Sequence, residues 1–330
     1  MAFTICSGLR RFRFLVIESL LWPSWPINFH NRWITFWGAR QILDLGIAKY
    51  AGKGQGEVSL LHKLSDVFSR GDVLLADALM CNWRVLHSFE KRGVDTVTRL
   101  NKALRRVDFR RGKRLGKDDH IVAWRKPKSI RSIDWPTYHS LPDFILVREA
   151  RVYVEQPGFR TKSIVIVTTL LDPIKYPKHE LARLYRQRWN NELDLRSIKS
   201  VMQMECLRCK TPEMVRKEIW AHALAHNLTR TIMAQAASRH LMKPRCISFK
   251  GTLQILEAFQ PMLAMRGKRE TASRLLHYEL LLDAIATHQV GDRPDRIEPR
   301  RIKRRHKHYV PLSVPRAEAK RQILKGVTKN

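Results

Sequence analysis

The stretch Tyr185–Lys199, YRQRWNNELDLRSIK, sets a phenol, a guanidinium, a carboxylate and an ammonium at Tyr185, Arg188, Glu192 and Lys199. It holds neither Gly nor Pro and is rich in good helix formers, so the spacing predicts a helix. At about 100° per residue the four positions fall near 0°, 300°, 340° and 320°, on one stripe about 60° wide over roughly four turns. Two readings of that stripe stand side by side. The first is a solvated helix face laced with ion pairs, the usual meaning of charge on a helix. The second is a site that holds a metal ion through Glu192 and phosphates through Tyr185, Arg188 and Lys199.

Such a helix needs a scaffold, and the chain from Gln41 onward supplies the pattern of one. ILDLGIAKY reads as a short strand ended by Gly52, and Glu57–Phe68 as a helix. The Gly-rich run between them lacks the GxxxxGK[ST] spacing of a P-loop. In GDVLLAD the run Val73–Ala76 is apolar without alternation, as in a parallel or central sheet position. Asp77 stands where that strand ends. It is either a turn or N-cap aspartate or a reacting group at a strand C-terminus, where open α/β sheets carry their chemistry. Trp83–Arg92 reads as a helix closed by Gly93, and Val94–Leu100 as the next strand. A basic stretch follows to His120, then strand-like runs at 120–124, 144–155 and 163–170, punctuated by prolines.

After Lys199 the chain reads as helical. Pro212 suits a helix start, with Met214, Ile219, Ala223 and Leu224 as an apolar face. His222 and His226 lack the glutamate of an HExxH motif and read as core or surface histidines. Residues 241–290 hold one or two amphipathic helices. The last stretch, 291–330, has 13 Lys or Arg against 4 Asp or Glu, which fits a disordered basic tail, a DNA-contacting tail, or both.

Composition bounds the partners. Lys and Arg number 62 against 30 Asp and Glu in 330 residues, a formal charge of +32, which points to a polyanion such as DNA or RNA, or to an anionic membrane surface. Hydrophobic content of 44% argues for a folded protein. Five cysteines in a chain this long form no disulfide framework, and a reducing, cytoplasmic setting fits. Cys206-x2-Cys209 has no second pair to complete a zinc site. Met1–Arg40 differs from the rest. It carries four of the nine tryptophans, its apolar run Phe12–Trp22 is too short to span a bilayer, and no small-residue cleavage site follows.

The pattern Tyr-x2-Arg-x3-Glu-x6-Lys resembles the signature of DDE transposases of bacterial insertion sequences, the insertion-sequence-four family. The blocks Gly71–Trp83 and Met202–Arg230 resemble that family in the same order. The resemblance runs over roughly 41–321. It implies an α/β fold: an RNase H-like core with a β-rich insertion and a helical, basic C-terminal region. The matching parts are 41–97 for the first part of the core, 98–162 for the insertion, 163–240 for the rest of the core with the Glu192 helix, and 241–330 for the C-terminal helices and tail. By resemblance Asp77 and Glu192 are catalytic carboxylates that hold Mg2+ or Mn2+ for phosphoryl transfer. Tyr185, Arg188 and Lys199 then grip DNA phosphates. Trp124 either stacks on a flipped base or is a core tryptophan. The implied partners are double-stranded DNA, as terminal inverted repeats and target, and a second copy of the chain in a synaptic homodimer, with no membrane.

One feature departs from the family. Its first catalytic Asp lies on a strand before GDVLLAD within a DGT/DGS-like motif, and none occurs here. The upstream aspartates are Asp44, Asp66 and Asp72. The expectation is a transposase that has lost its first strand, with 1–40 a foreign, out-of-frame or disordered segment, and with weak or absent strand transfer. The alternative is a non-catalytic DNA-binding remnant that competes with an intact transposase. An unrelated RNA- or ribosome-binding protein is a third reading, but an RNP-type aromatic motif is absent.

Overall fold

The computed structural model describes residues 2–7, 10–18, 41–49, 54–130, 133–153, 163–264, 271–291 and 314–325. Strands β1 (Ala2–Ser7), β2 (Arg10–Glu18) and β3 (Ile42–Lys49) form an antiparallel sheet in that order. Two described parts of the segment before Arg40 are therefore strands, and β2 pairs with β3 from Phe12↔Lys49 to Glu18↔Ile42. Residues 19–40 lie outside the described residues.

A second sheet carries the candidate site. Helix α1 (Glu57–Lys63) leads to β4 (Val73–Leu75), then α2 (Trp83–Lys91) and β5 (Asp95–Arg99). The connection follows local chemistry. The Asn82 side chain caps α2 by accepting from Val85 N at 3.0 Å, and Gly93 takes the left-handed conformation, φ +72°, that ends it. Replacing Asn82 with Ala is expected to cost about 1 kcal/mol in a denaturant titration. A loss within error of zero would mean that the cap is dispensable.

The remaining strands are β6 (Lys113–Gly116), β7 (Asp119–Arg125), β8 (Phe144–Tyr153) and β9 (Ser163–Thr168), with the short helix α3 (Trp135–Ser140) between β7 and β8. The sheet order is β4-β5-β9-β8-β7-β6. The strands of the 98–162 stretch thus continue the same sheet as β4 and β5, with β9 between β5 and β8. β4 is parallel to β5, as its unalternating run suggested, but it lies at the end of the sheet. It is only three residues long, a common way of limiting an exposed edge.

Two buried polar networks fasten β7 to β8. Arg148, 1% exposed, donates from Nε and Nη2 to Asp119 at 2.8 and 2.6 Å, and from Nη1 to Tyr176 O at 2.6 Å. Glu149 accepts from Trp124 Nε1 at 2.7 Å and faces His120 Nε2 at 2.9 Å.

Helices cover the sheets. The predicted single helix Tyr185–Lys199 is broken in the structure. α4 (Lys178–Arg186) ends at Gln187, α5 (Arg188–Arg196) follows, and a π turn, Ser197–Val201, succeeds it. At the break the backbone tightens: Gln187 N bonds Leu184 O and Asn190 N bonds Gln187 O, both at 3.0 Å and three residues apart. A uniform 100° projection therefore holds within α5 and fails on either side of it.

The long α6 (Pro212–Arg239) starts at Pro212 as predicted, capped by Thr211, but its buried face is Val215, Ile219, Ala223 and His226. Ile219 and Ala223 are buried as expected, but Met214 and Leu224 are exposed, because the buried row 215, 219, 223, 226 leaves both about 100° to its sides. α7 (Phe249–Leu263) and α8 (Thr271–Thr287) pack with α6 around Met233, Ile255, Leu281 and Ile285. α9 (Arg316–Leu324) belongs to a second compact unit. No described helix is long and apolar enough to cross a membrane.

Burial in this scaffold sets an acid response. Burial pushes His226 down to about 4, with the Arg230 charge adding to the effect, and burial pushes His62 down to about 4 as well. A folded value below the unfolded one of about 6.5 means that the unfolded chain takes up the protons first. Stability is then full above about pH 6.5 and falls as pH drops toward 4. His226 alone accounts for about 3 kcal/mol of that loss. Denaturant titrations of His226→Gln should show a flatter decline than wild type over this window. Parallel pH curves would rule this account out.

Candidate active site

Because β4 and β5 are parallel, their C-terminal ends meet at one sheet edge, and they bring Asp77 and Arg99 to it. Helix α4 crosses the same edge. Tyr185 is buried there against Leu75, Val97, Ile166 and Leu181. The burial that fixes the ring also raises its phenol. The charges of Arg188 and Arg99 oppose that rise, and the charge of Asp77 adds to it. The hydroxyl is therefore protonated at neutral pH and available as a donor.

Arg188 begins α5, and its Cζ lies 5.7 Å from the Tyr185 ring centre. Nη2 donates to Glu192 Oε1 at 3.1 Å. Nε and Nη1 are buried and find no acceptor among the described residues. These two donors are shielded from solvent and unmatched; a phosphate that displaced what covers them would accept two hydrogen bonds from one arginine.

Glu192 and Asp194 are both acids in α5, but only one is open to a ligand. The Glu192 side chain is 31% exposed. Asp194 is fully buried and ion-paired to Arg230 and Arg245. Asp77 is half-buried, and its Oδ1 accepts from Leu79 N at 2.9 Å. The turn reading of Asp77 is thus realised, and among the described residues its second oxygen accepts no hydrogen bond.

Tyr185 lies within the fields of Asp77, Arg99 and Arg188, and Arg188 in turn bonds Glu192. Lys199 sits beyond α5 on the π turn, half-buried. Trp124 takes the core reading: it is 3% exposed, its indole N–H is spent on Glu149, and Arg105 covers its ring at 4.5 Å. Its carbonyl also accepts from Trp83 Nε1 at 2.9 Å. It offers no open face to a base.

Sequence reading missed Arg99. Its signal was its place at the end of a strand parallel to the one bearing Asp77, which only strand pairing reveals. The other motifs fall to structural roles. His226 is buried against Phe249, while Cys206 is exposed and Glu218 accepts from the Cys209 backbone N–H at 2.9 Å.

Residues 39–228 match the family described as Transposase DDE domain, more than half of the chain. The chain belongs to the DDE transposase family, and its α/β fold is RNase H-like. Among individual proteins, it is 31% identical over 217 residues to the transposase InsG for insertion sequence element IS4 of Escherichia coli (strain K12). That similarity covers 64% of this chain and 44% of InsG, so the chain spans under half of that relative's length. It is also 33% identical over 78 residues to the putative transposase InsL for insertion sequence element IS186A of the same strain, covering 24% of this chain and 21% of InsL. The same identity and coverage relate it to the transposase for insertion sequence element IS421 of Escherichia coli.

Proposed function

We propose that the chain binds the terminal inverted repeats of an insertion sequence as double-stranded DNA, and that its site is built for metal-dependent phosphoryl transfer on them. The observation that carries this reading is half-buried Arg188, whose Nε and Nη1 have no hydrogen-bond partner among the described residues, set between the Tyr185 phenol and the Glu192 carboxylate. In this reading Tyr185 donates to a phosphate oxygen, Arg188 takes two oxygens of one phosphate, and Lys199 adds a point charge. Arg99 contributes further positive potential. The cluster orients the scissile phosphate against the Asp77 edge and neutralises part of its charge.

The family implies a divalent cation, Mg2+ or Mn2+. Two carboxylates, Asp77 and Glu192, fit one hydrated cation held jointly with substrate phosphates. When bound, such a cation supplies Lewis-acid stabilisation of the phosphoryl oxygens. Two cations close together need more anionic ligands, since like charges at about 4 Å repel strongly. Among the described residues no group of three or more His, Cys, Asp or Glu side chains could hold a metal ion. The upstream aspartates do not fill the gap. Asp44 is on β3 and bonds Leu45 N, Asp66 pairs with Arg92, and Asp72 bonds Ser69 N.

We therefore infer DNA binding with weak or absent strand cleavage and joining for the chain by itself. The alternative is a purely non-catalytic DNA-binding remnant that competes with an intact transposase, and the short carboxylate inventory favours it. A synaptic homodimer on two DNA ends belongs to the first reading.

The deciding experiment measures Mn2+- and Mg2+-dependent cleavage of the element's end DNA by wild type and Glu192→Gln, with binding followed against salt. Salt-sensitive binding with at most trace cleavage is expected. Robust cleavage that disappears in Glu192→Gln would overturn the inference of weak activity, and absence of DNA binding would overturn the whole reading.

A further inference from the structure

Asp194 has no role in the site described above, yet it is the most enclosed charged group in its helix, fully buried. Its Oδ1 accepts from Arg230 Nη2 of α6 and from Arg245 Nη1, the latter at 2.7 Å. Its Oδ2 accepts from Arg245 Nη2, which also donates to Asn190 O at 3.1 Å. Arg245 lies on a single 3-10 turn, Pro244–Cys246, so three separate elements meet on this one carboxylate.

The meeting point matters because of where it sits on α5. Two residues along a helix is about 200° of rotation, so Asp194 and Glu192 face opposite sides. α5 is only nine residues long, tightened at Gln187 and followed by a π turn. The tightened turn before it and the wider turn after it change the helical pitch, so its rotational setting is not carried over regularly from its neighbours. The two arginines grip both carboxylate oxygens, and one of them grips a backbone carbonyl a turn earlier. That set of bonds fixes the angle of the helix about its axis as well as its position.

We propose that Asp194, Arg230 and Arg245 are positioning residues that set the rotation of α5, so that Arg188 and Glu192 face the Asp77 edge. The proposal rests on the reading of Glu192 as a ligand of the divalent cation. Asp194 itself is no ligand, since both its oxygens are taken.

The test uses the full chain and Mn2+ alone, with affinity read by electron paramagnetic resonance. Glu192→Gln should abolish Mn2+ binding. Asp194→Asn should weaken it about 10-fold or more, the usual scale for a group that orients a ligand. Arg245→Met should behave likewise, and Arg245→Lys should restore part of the affinity. Arg245 lies at the half-buried edge of the cluster, so its variants serve if Asp194→Asn does not fold. Folded Asp194→Asn and Arg245→Met with wild-type affinity would overturn the proposal.

If Glu192→Gln leaves Mn2+ binding unchanged, the metal reading of Glu192 fails, and a nitroxide on Glu192→Cys, in a chain whose other cysteines are replaced by Ser, decides the positioning claim. A spectrum that is restricted in the parent and mobile with Arg245→Met supports positioning. The same spectrum in both overturns it.

Discussion

Arg148→Ala should lower the melting temperature by on the order of 10 °C, the largest stability effect expected of a single substitution in the sheet. The reason is asymmetry. Arg148 and Asp119 are both buried, and the pair is bidentate at 2.8 and 2.6 Å. Removing one member leaves a buried carboxylate without its counter-charge, which costs about 3–5 kcal/mol. For a protein of this size each kcal/mol shifts the midpoint by roughly 2–4 °C. The loss also frees Tyr176 O, the carbonyl through which Arg148 holds the chain just before α4. Arg148→Met with Asp119→Leu should recover most of the stability, because the desolvated charges are then both absent. Thermal melts of the two singles and the double measure this. A single substitution that costs under about 1 kcal/mol would mean that the pair is not buried in solution.

The largest functional effect is expected at Arg188. Arg188→Ala should weaken binding to the element's end DNA about 10- to 100-fold, the equivalent of charge-assisted hydrogen bonds worth roughly 1.5–3 kcal/mol. The slope of log affinity against log salt should fall by about 1, since one phosphate contact is lost. Arg188→Lys should keep most of the slope and lose much of the affinity. An ammonium preserves the charge without the planar pair of donors that Nε and Nη1 present. Fluorescence anisotropy across a salt series gives both quantities. Unchanged affinity in Arg188→Ala would return the stripe to a solvated face whose Arg188–Glu192 pair is an ordinary helix ion pair.

The sequence alone carried what depends on near neighbours. Strand runs such as ILDLGIAK and SIVIVT, the stop of α2 at Gly93, the start of α6 at Pro212 and the placing of Asp77 at a strand end all follow from local pattern. So does the grouping of Tyr185, Arg188 and Glu192, which lie within two turns of one another.

Tertiary structure decided everything that depends on a distant partner. Helical periodicity extends through Gln187 and Ser197 in the sequence, and no local signal marks the tightened turn or the π turn. Glu192 and Asp194 are equivalent acids until Arg230 and Arg245 arrive from 36 and 51 residues away to occupy one of them. Trp124 could face solvent or core until Glu149 and Trp83 claim both its polar groups. Arg99 joins the site only because β5 lies parallel to β4. Local pattern fixes the direction a side chain takes along its own element, whereas its burial and its partners are set by elements that meet only in the folded chain.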